Sequence, residues 1–243
     1  LVNKVGAGRA VLLNFQLLVP KPDDPQADTA RRLVKALYDT FGVRNAVAAT
    51  DPKGGPLPLT ETRVWRNGNA VVFGLWRQMQ CAWFGPKTGT VAGTPQPARI
   101  TLPAPRHVYD LRARKYLGSV KQVDTRLRWG RASFFLALPY AIGGVDVKLS
   151  SAKPAPGSVV EAAIRLRIPA GAKERHAVCV KVFDPQGREQ LWGRQVLLLE
   201  NGAGRVRVPV AYNDTPGQWR LRTTELFSNQ SAEAAWTVAG TRL

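Results

Sequence analysis

The spacing of apolar residues changes along the chain, from helical near the start to strand-like over most of the rest. Residues 7–19, AGRAVLLNFQLLV, form a continuous apolar run, which predicts a strand buried on both faces. In the segment that follows, Asp28 is placed to cap a helix and Gly42 to end it. One side of that predicted helix carries the apolar residues Leu33, Val34, Leu37, Tyr38 and Phe41.

After the predicted helix, apolar residues recur at every second position. The stretch TRVWRNGNAVVFGLW predicts two strands joined at Asn67–Gly68, because Asn-Gly between apolar runs is a strong hairpin signal. Further strands alternate with proline-rich turns, and RLRWGRASFFLALPY predicts another strand pair around Gly130. Gly143–Gly144 and the stretch SSAKPAPGS then mark a seam.

Beyond the seam, strands recur roughly every ten to fifteen residues, with Asp-Pro, Asn-Gly or Pro-Gly turns between them. This spacing predicts a two-sheet antiparallel sandwich of the immunoglobulin-like type. The sequence therefore predicts a mainly β protein in three parts. Residues 1–60 form a partial α/β segment with one helix, residues 61–145 a small antiparallel β domain, and residues 146–243 the sandwich.

The chain is strongly basic, with 35 Lys and Arg against 17 Asp and Glu and a formal net charge of +18. Arginines stand two apart in several predicted strands: Arg126, Arg128, Arg165, Arg167, Arg205, Arg207, Arg220 and Arg222. Because apolar residues alternate with them, these rows predict solvated outer faces of half-buried strands. The alternative is that several rows merge into a polyanion-binding surface. No zinc spacing, helix-turn-helix or RNA-binding motif is present, so no specific nucleic-acid partner is predicted.

Candidate catalytic groups are few. His107 and His176 are the only histidines, and neither stands beside a nucleophile motif. The carboxylates that glycoside hydrolysis would require as a pair are scattered along the chain: Glu61, Asp110, Asp124, Glu161 and Glu225. Turn chemistry explains Asp184 and Asn213–Asp214 better than calcium binding does. We therefore expect no catalytic site, metal or cofactor within these residues.

Aromatic rings offer another route to function, because a flat indole matches the apolar C–H face of a pyranose ring. Seven tryptophans are candidates by type: Trp65, Trp76, Trp83, Trp129, Trp192, Trp219 and Trp236. Trp219 and Trp236 are in phase with apolar neighbours, which predicts core positions. Trp83, at a strand-to-turn transition, and Trp192, in QLWGRQ, lack that commitment and are the candidates for sugar stacking.

Several features bear on the wider context of the chain. The start, LVNKVGAGRAVLLNF, has neither an initiator Met nor a signal peptide, so we expect a fragment of a longer protein. Cys81 and Cys179 fall in different predicted parts, which favours two small buried hydrophobic residues over a disulfide. No apolar run approaches the roughly 18 residues of a transmembrane helix, so no membrane span is predicted.

Three stretches resemble parts of known proteins. KVGAGRAVLLNF is similar to the closing strand of the amidotransferase-like α/β domain that follows the catalytic barrel in β-galactosidase-like glycoside hydrolases of the family-42 type. HVYDLRARKYLG resembles a β-hairpin of multidomain bacterial relatives, although Ala113–Arg114 stands where a turn glycine is expected. DTPGQWRLRTTELFSNQSAEAAWTV resembles the last strands of extracellular immunoglobulin-like domains.

The resemblance implies a C-terminal accessory region in which residues 1–60 are the tail of the amidotransferase-like domain. The catalytic glutamates of the family belong to the barrel, so no catalytic residue is carried over to this sequence. The leading hypothesis is a non-catalytic accessory region of a bacterial, exported (periplasmic or extracellular) carbohydrate-active protein, packing against an upstream catalytic domain or a second subunit. The alternatives are a module that binds carbohydrate or polyanion through exposed tryptophans or arginine rows, and a cell-surface adhesion sandwich.

Overall fold

The computed structural model describes residues 2–6, 8–11, 25–43, 46–57, 59–77 and 94–240. These residues form fifteen strands and one helix, so the predicted mainly β fold class is confirmed. The elements in chain order are β1 (Val2–Val5), β2 (Gly8–Val11), α1 (Pro25–Thr40), β3 (Ala48–Thr50), β4 (Thr60–Asn67), β5 (Ala70–Arg77), β6 (Gln96–Asp110), β7 (Lys115–Leu127), β8 (Ser133–Leu138), β9 (Val145–Leu149), β10 (Val159–Leu166), β11 (His176–Phe183), β12 (Glu189–Leu199), β13 (Ala203–Pro209), β14 (Gly217–Glu225) and β15 (Ser231–Val238).

The N-terminal strands differ from the predicted strand over residues 7–19. β1 and β2 form a two-stranded antiparallel sheet, and Ala10 and Val11 on β2 are exposed. The chain reverses at Gly6, so the described part of this strand pairs with β1 in a hairpin instead of lying in the middle of a sheet. Residues 12–20 of the predicted strand lie outside the described residues.

Helix α1 begins three residues before the predicted cap at Asp28. Pro25 is its first residue, a position that favours proline because the missing N–H would have no partner there. The predicted apolar stripe is half-buried, except for Tyr38, which is exposed. Within the described ranges, no helix combines the length and apolar character needed to cross a membrane.

Residues 46–142 build a six-stranded antiparallel sheet in the order β3-β6-β8-β5-β4, with β7 paired to the other side of β6. Its main core is a cluster of buried side chains that includes Phe73, Leu75, Ile100 and Phe135. β3 pairs with β6, so residues 46–60 contribute to this sheet, whereas the sequence grouped them with the α/β segment. Hydrogen bonding to β6 determines this placement, and a strand of three residues has no sequence signal of its own.

The β4–β5 hairpin turns at Gly68–Asn69, one residue later than the predicted turn at Asn67–Gly68. Asn67 pairs with Ala70, and Gly68 has a φ of 60°, which suits the first central residue of a two-residue hairpin turn. Asn67 is the last residue of β4, and its side chain is bonded to a distant part of the chain. A tertiary contact thus contributes to the register of the turn.

The C-terminal residues form the predicted sandwich. A three-stranded sheet, β13-β10-β9, packs against a four-stranded sheet, β12-β11-β14-β15, through one shared core. Val160, Val178, Leu221 and Trp236 are among its buried residues, and polar residues alternate with them along the strands. This division into three and four strands matches the immunoglobulin-like architecture.

The β4–β5 turn joins the six-stranded sheet to the sandwich. The Asn67 side chain donates to the Arg175 carbonyl at 2.7 Å and accepts from the Arg175 N–H at 3.0 Å. The Asn69 N–H donates to Glu174 Oε1 at 2.8 Å. A Cβ at Gly68 would lie 3.1 Å from the opposing backbone, so the turn requires glycine for this close approach as well as for its φ.

A buried chain of polar side chains continues this joint. Glu174, His176 and Glu225 are at most 1% exposed. The Tyr140 hydroxyl donates to Glu174 Oε2 at 3.0 Å, and its oxygen lies 3.0 Å from His176 Nε2. His176 Nδ1 lies 3.2 Å from Glu225 Oε1, while Glu225 Oε2 accepts from the Ser228 N–H and hydroxyl at 2.6 and 2.7 Å. Both ring nitrogens of His176 therefore act as donors when Glu225 is ionised.

We expect Glu174 to make the joint sensitive to acid. Burial alone would raise the pKa of Glu174, but hydrogen bonds from the Asn69 N–H and the Tyr140 hydroxyl outweigh it and lower the pKa below 4.5. The unfolded chain therefore takes up the proton first, so this stabilisation is complete above pH 4.5 and is lost as the pH falls through the folded-state pKa. Urea unfolding of Glu174→Gln at neutral pH should show a loss of about 1–3 kcal/mol. That difference from the wild type should shrink below pH 4.5, and a difference that stays constant with pH would contradict the assignment.

Candidate functional sites

Two exposed tryptophans lie on the same face of the β4–β5 hairpin. Trp65 is 49% exposed and Trp76 is 43% exposed. Trp65 pairs with Val72, and Trp76 pairs with Glu61, four residues before Trp65 on β4. Since alternate residues of a strand share a face, both indoles point to the side opposite the main core. Four residues of strand place them about 13 Å apart along the sheet.

Phe134 on β8 adds a third ring to this surface. Gly74 pairs with Arg63 on one side and with Phe134 on the other. A Cβ at Gly74 would lie 2.8 Å from the Phe134 ring and 3.5 Å from the Trp65 ring, whose centroids are 6.3 Å apart. The missing side chain at Gly74 thus allows the two rings to converge over bare backbone. We call the surface formed by Trp65, Trp76 and Phe134 the aromatic face.

An ion pair lies on the aromatic face between the two tryptophans. Arg63 Nε donates to Glu61 Oε1, and both residues alternate with Trp65 along β4. The guanidinium has further N–H donors, and the carboxylate has a second acceptor oxygen. Flat apolar rings beside a donor and an acceptor match the two kinds of surface that a pyranose presents, its C–H face and its hydroxyl rim.

The tryptophans singled out from the sequence are placed differently. Trp83 lies outside the described residues. Trp192 is 49% exposed and leans on Trp219, with ring centroids 6.4 Å apart. Trp219 and Trp236 are buried in the sandwich core, as their phase predicted, and stack at 6.2 Å. Trp192 is therefore packed on one side and open to solvent on the other.

The sandwich arginines lie on the solvent side of their strands, between buried apolar neighbours. Four of the six lie within ion-pair distance of a carboxylate: Arg167 with Asp146 (2.8 Å), Arg205 with Glu161 (2.7 Å), and Arg220 and Arg222 with Glu233 (3.7 and 2.5 Å). Arg165 and Arg207 have no ion-pair partner in the part of the chain that the structure describes. These rows do not meet in one site, since neighbouring acids neutralise most of them.

The remaining pair, Arg126 and Arg128, lies in the six-stranded unit, where both side chains line a cavity of about 320 Å³. Arg112 and Arg131 line the same cavity, although the sequence did not single them out. They come from a turn and a loop that strand periodicity does not connect with β7. We call this cavity, lined also by Asp110, Thr125 and Ser133, the arginine cleft.

The other candidate groups are engaged separately. His107 Nδ1 lies 2.6 Å from the Tyr116 hydroxyl. Arg99 binds Asp124 through two N–H groups at 2.8 and 3.2 Å, and this hydrogen bonding holds the pKa of Asp124 below its usual value. Cys179 is half-buried and makes no disulfide. Among the described residues, no three His, Cys, Asp or Glu side chains lie close enough together to hold a metal ion.

Comparison with known proteins places the chain in no family, since no family model and no curated protein matches it. Partial similarity exists to three solved structures. They are the alkylpurine DNA glycosylase of Pseudomonas fluorescens bound to DNA with an abasic-site analogue (13% identity, 41% of this chain and 32% of that chain, TM-score 0.32), the β-glucosidase of Listeria innocua (17%, 41% and 16%, 0.29) and the sporulation control protein Spo0M of Bacillus subtilis (11%, 42% and 51%, 0.26). This chain spans about a third of the first protein and about a sixth of the second. Similarity of this degree says nothing about activity.

Proposed function

We propose that this chain is a non-catalytic carbohydrate-binding unit of a larger carbohydrate-active protein, and that an oligosaccharide lies on the aromatic face. The observation that carries the proposal is the pair of exposed indoles, Trp65 and Trp76, on one face of a hairpin. Large exposed aromatic rings on a soluble protein commonly mark a binding surface. A ligand that spans about 13 Å and is flat and apolar on one side would cover both rings.

The polar groups of the aromatic face favour a sugar over a purely apolar partner. Arg63 and Glu61 lie between the two indoles, where they offer hydrogen bonds to hydroxyls at the rim of a stacked ring. An apolar partner would desolvate this ion pair without replacing its hydrogen bonds with water, which is unfavourable. A saccharide supplies both the apolar face and the hydroxyls.

The placement of the acidic and imidazole groups supports a non-catalytic role. His176 and Glu225 are fully buried at the joint, beyond the reach of a substrate. Asp124 and Glu161 are bound to different arginines, and Glu61 forms its ion pair on the aromatic face. The resemblance of three stretches to accessory parts of family-42-type hydrolases adds support for a place beside a catalytic domain.

Replacing Trp65 and Trp76 together by alanine is expected to abolish binding of neutral oligosaccharides. Each single replacement should weaken binding by about tenfold or more, because a ring stacked on an aromatic side chain contributes about 1–3 kcal/mol. Isothermal titration calorimetry of the full chain with galacto-, xylo- and cello-hexaose measures this. Neutral sugars are chosen so that the net charge of the protein plays no part.

Trp192→Ala is the matched control, because it removes an equally exposed indole from the sandwich. Its affinity for the hexaose should equal that of the wild type. Loss of binding in Trp192→Ala but not in the Trp65 and Trp76 variants would move the site to the sandwich. The proposal is also contradicted if the wild type binds none of the three sugars, or if the purified chain hydrolyses a chromogenic galactoside.

A further inference from the structure

The arginine cleft is a concave site at one end of the six-stranded unit. Asp110, Arg112 and Ala113, from the end of β6 and the β6–β7 turn, form one wall. Thr125, Arg126 and Arg128, at the end of β7, and Arg131, Ala132 and Ser133, leading into β8, form the rest. Its volume of about 320 Å³ falls at the small end of the range for small-molecule sites.

The four arginines of the cleft have no ion-pair partner among the described residues, unlike most arginines of the sandwich. Four guanidinium groups face one carboxylate, so the lining has an excess of three positive charges. Like charges gathered in a concavity repel one another, and the surrounding protein strengthens their field. An anion that enters the cleft relieves that repulsion.

The loop that carries Arg128 and Arg131 is held in place. These two residues bridge each other across Trp129 and Gly130, and Gly130 has a φ of 62°, which favours glycine. The Gly130 N–H donates to the Arg77 carbonyl at 3.1 Å, and the Arg77 guanidinium lies 3.8 Å from the centre of the Trp129 ring. A ligand therefore meets arginines on an ordered loop and need not immobilise it, which favours binding.

Asp110 adds a polar feature that a site for a bare ion does not need. Its Oδ1 accepts from the N–H groups of Arg112 and Ala113 at 2.9 and 2.8 Å, which fixes the carboxylate in the turn. Oδ2 remains an acceptor that points to no partner among the described residues. Thr125 and Ser133 add two half-buried hydroxyls to the lining. The cleft thus offers hydrogen bonds to hydroxyls as well as positive charge.

We infer that the arginine cleft binds a doubly charged oxyanion group, phosphate or sulfate, carried by a hydroxyl-bearing small molecule such as a sugar ester. The guanidinium fork fits two oxygens of such a group at once, so several arginines can share its three terminal oxygens. A dianion also neutralises more of the excess charge than a single carboxylate does. This site is separate from the aromatic face, and neither proposal depends on the other.

Calorimetric titration of the full chain with glucose 6-phosphate, glucose 6-sulfate, inorganic phosphate, glucuronate and glucose tests the inference. The two sugar esters should bind more tightly than inorganic phosphate, and at least tenfold more tightly than glucuronate, while glucose should not bind to the cleft. Their relative affinities distinguish a phosphate site from a sulfate site. Affinity should fall as salt is added, because the attraction is electrostatic.

Arg126→Gln/Arg128→Gln should weaken binding of the preferred ester by about tenfold for each arginine removed. Arg165→Gln/Arg207→Gln is the matched control, since it removes two exposed, unpartnered arginines of the described sandwich and changes the net charge equally. Equal weakening in both double variants would show that only net charge matters and would overturn the inference. So would binding of a single-stranded oligonucleotide by a protein that binds neither ester.

Discussion

Replacing Glu225 by alanine is expected to lower the free energy of unfolding by about 3–5 kcal/mol, the loss typical when one partner of a buried ion pair is removed. Glu225 is fully buried, and four donors converge on its two oxygens: His176 Nδ1, the Ser228 hydroxyl, and the N–H groups of Phe227 and Ser228. Alanine would leave these donors without an acceptor, in a place that water does not reach.

The same substitution should loosen the connection between the two β units. His176 passes the hydrogen-bond chain to Tyr140, which follows β8 of the six-stranded sheet. Phe227 packs in the cluster at the joint, and its ring lies 5.7 Å from the imidazole. Loss of Glu225 would therefore disturb both the end of β14 and the contact between the units. Tryptophan fluorescence during urea unfolding follows the sandwich through Trp219 and Trp236, which are buried there.

Glu225→Gln is the control for this prediction, and its loss should be less than half as large. A glutamine oxygen can accept from the Phe227 and Ser228 N–H groups, and its NH₂ can donate to Nδ1 of a neutral His176 that still donates from Nε2 to Tyr140. All the hydrogen bonds are then retained without a charge. An alanine variant within 1 kcal/mol of the wild type would show that the carboxylate is not needed at the joint.

The sandwich could be predicted from the sequence because alternation determines it locally. In WRLR, Trp219 and Leu221 fill the core and Arg220 and Arg222 face outward, where both guanidinium groups lie near Glu233. Alternation states which face a residue occupies in its own strand. It does not reveal the partner that neutralises the residue, because Glu233 belongs to the neighbouring strand β15.

The aromatic face was within reach of the sequence, even though the predicted turn was displaced by one residue. Moving a two-residue turn by one position changes every cross-strand partner by two positions, and this leaves each side chain on the same face. Trp65 and Trp76 would share a face in either register. What the sequence could not show is that the rings stay exposed, because that depends on which elements cover the hairpin.

The arginine cleft could be predicted only in part. Arg126 and Arg128 stand out as a row in β7, whereas Arg112 and Arg131 come from a turn and a loop. The turn reaches the cleft because β6 and β7 are long, with two register shifts in their ladder, and the loop because it pairs with Arg77 of β5. Such long-range pairings are set by tertiary packing, for which neither periodicity nor turn chemistry gives a signal.

The sandwich core depends on one large ring more than on any other side chain of its ladder. Trp219 stacks on Trp236 at 6.2 Å and supports Trp192 at 6.4 Å, so it links two core positions with the surface. Its Nε1–H donates to the Thr215 carbonyl at 2.9 Å, which also ties the preceding turn to β14. No other side chain in the Trp192–Trp219–Trp236 series touches both neighbours.

Trp219→Ala should therefore lower the free energy of unfolding by about 3–5 kcal/mol, through lost burial and the cavity left beside Trp236. Guanidinium unfolding followed by far-UV circular dichroism measures this without relying on the missing indole. Trp219→Phe retains a ring against Trp236 but loses the hydrogen bond to Thr215, so its loss should be about 1–2 kcal/mol. Below the transition, hexaose binding should be unchanged, because Trp65 and Trp76 belong to the other sheet. An alanine variant as stable as the phenylalanine variant would mean that ring burial contributes little here.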